Sequence, residues 1–163
     1  MNSDCTKFFA SLTLAALLQA CSQNVGPVKV QRDVTNAQVD GEKMVIDAQA
    51  NLVLVNTQNN NDVVSARVWA RAHDPRNAST AATNNADARR SRTEATQKIA
   101  DARFDVDKAK AKASHNVAIA ECEARTDAAA KSCKDDAAAN YDSEMATAKA
   151  QKVAAHLHSK NNG

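Results

Sequence analysis

A chain of 163 residues is long enough for one domain. Its 35 alanines and 3% aromatics depart from ordinary usage. Alanine favours helix and has almost no side chain to bury, so extended helical packing is expected, and the deep pocket that a small-molecule enzyme needs is not. The net charge of +2 is spread as interleaved acids and bases. That is the pattern of solvated helix faces, not the clustered basic face that nucleic acid requires.

The first segment, MNSDCTKFFASLTLAALLQACSQN, has a short polar start with Lys7 and an apolar run from Phe8 to Leu18. The run is too short to span a bilayer, which takes about 20 apolar residues, and it suits the apolar region of a signal peptide. Leu18-Gln19-Ala20-Cys21 resembles the bacterial lipobox. The resemblance implies that Cys21 is the lipid attachment site, that residues 1–20 are removed, and that the acyl chains hold the protein on a membrane. Ser22, where an Asp would favour inner-membrane retention, implies the outer membrane, facing the periplasm. An ordinary secretory signal cleaved after Ala20, or a plain apolar N-terminal helix, are the alternatives. With Cys5 removed and Cys21 acylated, Cys122 and Cys133 remain, an even number in a compartment where disulfides persist.

Residues 21–32 read as a tether in which Pro27 blocks helix continuation. From Asp33, a reasonable N-cap, to residue 72, apolar positions recur every three or four residues. Val34, Ala37, Gly41, Val45, Ala48, Leu52 and Val55 set a helical face, and Asn59, Val63, Ala66 and Ala70 continue it. Gly41 costs such a helix about 1 kcal/mol against Ala. Within 52–70 the apolar residues around QNNND also fit a β-hairpin, which stands as the alternative. Residues 73–84, with Pro75 and an Asn/Ser/Thr cluster, read as a loop.

A second helix is expected from an N-cap at Asn84 or Asn85 to about Ala124. Ile99, Val106, Ala113 and Ala120 lie seven apart, Ala95, Ala102 and Ala109 fill the alternate positions, and Val117 and Ala124 introduce a stutter. On one unbroken helix Cys122 and Cys133 would stand about 16.5 Å apart, whereas a disulfide needs Cα atoms within about 7 Å. A bond within the chain therefore requires a reversal, and EARTDAAAK offers the place, with Thr126 or Asp127 capping a third helix. That reversal lays Ala137, Tyr141, Met145 and Ala148 back along the second helix. Bonds between chains, or two reduced thiols, remain as alternatives. Phe104, Ala111 and Ala118 share the Cys122 side, nearly opposite the heptad stripe, so the second helix is expected to have two contact faces.

The segment Val117–Ala124 with Cys122, then Cys133-Lys134 and Tyr141-Asp142, resembles a family of Ala/Lys/Asp-rich helical bacterial envelope lipoproteins with a C-terminal C-x10-C pair. The resemblance implies a helical envelope protein and brings no activity with it. In this chain Arg125-Thr126-Asp127 stands where relatives tend to carry a glycine-containing turn.

No catalytic, cofactor or metal site is expected. His156 and His158, two apart, point away from one another on a helix, and three glycines cannot form a phosphate loop. Asp127, Asp135 and Asp136 suit the helix dipole, and Trp69 and Tyr141 read as packing residues. The expected fold class is all-α: long Ala-rich helices, the last two (85–158) a disulfide-pinned hairpin, bundled or coiled-coil-like, with a disordered tail at 159–163. The expected function is a lipid-anchored, periplasm-facing structural or protein-interaction lipoprotein, not an enzyme. Its partners are then the membrane through the anchor, and another copy, other envelope proteins or the cell wall through the helix faces. Nucleic acid and small-molecule substrates are not among them. A periplasmic chaperone-like or binding module is the alternative.

Overall fold

The structure is a computed structural model and describes residues 26–72 and 78–161. It consists of three α-helices: α1 (Pro27–Ala72), α2 (Ala78–Cys122) and α3 (Asp127–Asn161). The described residues contain no strand, so 52–70 is helix and not hairpin. A lone two-stranded hairpin is marginal in water, whereas the helix sets Leu52, Val55, Asn59 and Val63 on one inward face. The expected signal segment, with Cys5 and Cys21, lies outside the described residues.

Each helix is longer than the sequence suggests. α1 starts at Pro27, not Asp33. Proline suits the first helical position, where the missing N–H has no partner to lose, and the Gly26 carbonyl accepts from the Lys29 and Val30 amides at 2.8 and 3.3 Å. Asp33 instead accepts a hydrogen bond from Lys29 Nζ at 2.8 Å, one turn back. α2 starts at Ala78, so Asn84 is inside the helix and buried, 4% exposed, rather than capping it. α3 continues to Asn161 through residues expected to be disordered.

α1 and α2 are antiparallel, and two contacts fix their register. A Cβ on Gly41 would lie 2.7 Å from Ala113 Cβ, and Asn59 Nδ2 donates to the Ala95 carbonyl at 3.4 Å. The two contacts are eighteen residues apart on both helices, so the register does not slip over five turns. Carried along the pair, it sets Val34 opposite Ala120, Val45 opposite Ala109, Ala48 opposite Val106 and Leu52 opposite Ala102. A large side chain on one helix meets an alanine on the other in each of these layers. The inward positions of α1 run from Val34 to Ala70 in ten steps, a mean of 3.6 residues. That is the period of a straight helix, not the 3.5 that forces a left-handed supercoil.

α2 is the central element. Ala88, Ala95, Ala102 and Val106 are buried towards α1, and Ala100, Ala111 and Cys122 towards α3. These two faces lie about 155° apart around α2 at 100° per residue. No Cα of α1 approaches within 8 Å of a Cα of α3 among the described residues. The three helices therefore stand in a row with α2 in the middle, as its two apolar faces demand. Tyr141 packs on His115 with ring centroids 5.2 Å apart. Trp69 is not a core residue: it is 51% exposed.

Candidate functional site

At the α2–α3 turn, α2 ends in tightened hydrogen bonds, Ala124 N to the Glu121 carbonyl at 3.2 Å and Arg125 N to the Cys122 carbonyl at 3.1 Å. The Thr126 carbonyl then accepts from the Ala129 and Ala130 amides at 3.0 and 3.2 Å, which starts α3. Asp127 makes the reversal with φ of 42°, the left-handed conformation that glycine usually supplies. Aspartate is among the few side chains that tolerate it. The turn brings Cys122 and Cys133 to a Cα separation of 5.6 Å, joined by a disulfide. Cys122 is 0% exposed, sealed under the turn. Both sulfur atoms are therefore bonded within one chain.

Further along α3, a polar group fastens its last two turns to α2. Asp101 receives Lys152 Nζ at 3.0 Å and His156 Nε2 at 2.9 Å. Lys152 Nζ also sits 5.2 Å from the Phe104 ring centroid. Gln97 Nε2 donates to Ser159 Oγ at 3.2 Å, and Ser159 Oγ donates to the His156 carbonyl at 2.8 Å. Thr93 Oγ1 lies 3.5 Å from the Ser159 carbonyl, one of the terminal carbonyls without a helical partner. Burial pulls the Asp101 carboxyl upward, but its bonds and attraction to Lys152 and His156 outweigh that and hold it below the ordinary carboxylate range. Near the turn, His115 Nδ1 donates to the Ala137 carbonyl at 3.2 Å. These contacts bind helix to helix. None of them aims convergent polar groups into an enclosed space.

One cleft, about 630 Å³, lies open along one edge of α2 between Leu52 of α1 and Ala148 and Lys152 of α3, and another of about 660 Å³ lies between α1 and α2 beside Val45 and Val117. Among the described residues no three His, Cys, Asp or Glu side chains gather as a metal-ligand set, and no helix is long and apolar enough to cross a membrane.

The surface with the most apolar character is the outer side of α1. Val28 is 82% exposed, Val39 59%, Ile46 62%, Val53 65%, Val64 56% and Val68 61%. Ile46 and Val64 each stand five positions after an α2-facing residue, Gly41 and Asn59, and so lie about 140° round from it. α1 thus has two apolar faces, of which α2 covers one. The sequence reading found the inner face and missed the outer one, although the signal was present as a second set of β-branched residues at helical spacing. No family model, curated protein or solved structure matches the chain.

Proposed function

We propose that the protein is a lipid-anchored structural or protein-interaction component of the bacterial cell envelope, held at the outer membrane through Cys21 and facing the periplasm. It acts by presenting helix surfaces, not by covalent chemistry on a substrate. The observation that carries this reading is the outer face of α1, where six large apolar side chains stay more than half exposed. Apolar side chains that recur along one exposed helix face offer a surface for association. The Cys122–Cys133 disulfide supports an oxidising compartment, and Leu18-Gln19-Ala20-Cys21 supports the anchor. The acyl chains supply membrane affinity without a spanning helix, which leaves α1 to α3 free to meet other macromolecules.

Cross-linking in intact envelopes tests the reading. A residue-specific photo-cross-linker at an outer α1 position is expected to give a discrete adduct, and one at exposed Lys131 of α3 is not. Equal adduct formation at both positions would contradict a dedicated interaction face.

A further inference from the structure

The outward line of α1 runs opposite Gly41 and Asn59, which face α2. At 100° per residue, Val28, Val39, Ile46, Leu54, Val64 and Val68 fall within about 40° of that line, and each is more than half exposed. The charged side chains of α1 in the same sector are Arg32 and Lys43, both basic and both exposed. The five acids of α1 stand at least about 60° from the line, Asp33, Asp40, Asp47 and Asp62 on one flank and Glu42 on the other. α1 thus sorts its charges as well as its apolar residues, and its outer face is apolar and basic with no acid.

The place of that face in the chain says what it meets. Five residues, Ser22 to Gly26, separate Cys21 from the start of α1 at Pro27. At 3.3–3.6 Å a residue, that stretch reaches no more than about 20 Å. Acyl chains on Cys21 therefore hold α1 beside a bilayer, where even a weak surface attraction acts at high effective concentration. We propose that α1 lies flat on the bilayer that carries the anchor, its outer apolar side chains in the interface and Arg32 and Lys43 on anionic lipid headgroups. This rests on Cys21 as the anchor and on the outer face of α1 as an interaction surface, and it names the lipid surface as what that face meets.

A helix with an apolar face and basic side chains lies in the plane of the interface, its apolar side about 5–10 Å into the headgroup boundary. The opposed sign of an anionic surface suits a face that bears two bases and no acid. α2 packs on the opposite side of α1, and α3 lies beyond α2, so neither obstructs the approach. With packed helices about 8–10 Å apart, α3 stands about 16–20 Å further from the bilayer than α1 does.

The acylated protein, purified from membranes and reconstituted into vesicles of phosphatidylglycerol and phosphatidylcholine, tests the arrangement. A fluorophore is placed on a single added cysteine at Val28, Val64 or Lys131. The first two are 82% and 56% exposed, and Lys131 is exposed on α3. Val28→Cys and Val64→Cys are both expected to lose quenching by aqueous iodide and to gain quenching by brominated acyl chains, while Lys131→Cys keeps its iodide quenching. Positions 28 and 64 are about 54 Å apart along α1, so an α1 that stands away from the surface would leave position 64 open to iodide and overturn the proposal. Arg32→Gln with Lys43→Gln is expected to lower the docked-to-undocked ratio at position 64 about fivefold for each base removed, and an unchanged ratio would overturn it as well. If position 64 stays open to iodide while a photo-cross-linker at position 46 captures an envelope protein, docking on lipid falls and the interaction reading stands. No adduct at position 46 with lipid or protein would overturn both.

Discussion

Gly41→Ala adds one methyl group where α1 lies close against α2. In an exposed helix the change would stabilise by about 1 kcal/mol through propensity. Here the new Cβ would lie 2.7 Å from Ala113 Cβ and 3.2 Å from Ala113 Cα, well inside the optimal carbon separation of about 3.5–4.0 Å. Neither atom belongs to a flexible side chain, so the α1 and α2 backbones must separate. Overpacking of this kind costs about 1–3 kcal/mol, which exceeds the propensity gain, and the net expectation is a loss of about 1 kcal/mol. For a chain of this size that lowers Tm by roughly 2–4 °C, read by circular dichroism on heating. Ala113→Gly alone loses propensity and packing. The double variant moves the glycine to the opposite helix and is expected to recover most of both losses, a coupling of about 1–2 kcal/mol. A Gly41→Ala variant more stable than the parent, with additive behaviour in the pair, would refute the close approach and the register built on it.

Reduction of Cys122–Cys133, or Cys133→Ser, is expected to lower stability by about 2–3 kcal/mol for so short a loop. Because Cys122 is fully buried, the bond should resist mild reductant until denaturant is added, followed by thiol labelling. Asn84→Ala is expected to stabilise by about 1 kcal/mol in urea unfolding, since Asn84 Nδ2 is buried without a hydrogen-bond partner. Asp101 has a folded-state pKa below its ordinary value of about 3.9. Its contribution is therefore present above that value and lost as pH falls through the folded value. Asp101→Asn is expected to flatten the dependence of Tm on pH across that acidic window.

The inner face of α1 was legible residue by residue, from Val34 to Ala70, because period-3.6 spacing depends only on which residues are apolar. The two faces of α2 were legible for the same reason, Ala95 and Ala102 on one and Ala111 and Cys122 on the other. The helix ends were not. Pro27 reads as a barrier but serves as a first residue, and Asn84 reads as a cap but is drawn into the α1–α2 interface by burial. The hairpin alternative at 52–70 has a physical origin in the doubled amphipathicity of α1. Leu52 and Val55 face α2 while Val53 and Leu54 face out, and such adjacent apolar residues imitate a strand. At the turn, the missing glycine hid how the chain reverses, because Asp127 carries the left-handed conformation instead. Of the candidate site, the cysteine pair was visible from its spacing, while the outer stripe of α1 was obscured by the same doubling.

Intact-mass and peptide mass spectrometry of the protein extracted from membranes without reductant tests the envelope reading most directly. The account predicts a mature chain that begins at Cys21, carries acyl groups on that residue, and contains a Cys122–Cys133 bond within one chain. A chain with an unmodified Cys21, or with Cys122 or Cys133 bonded to a second chain, would contradict it.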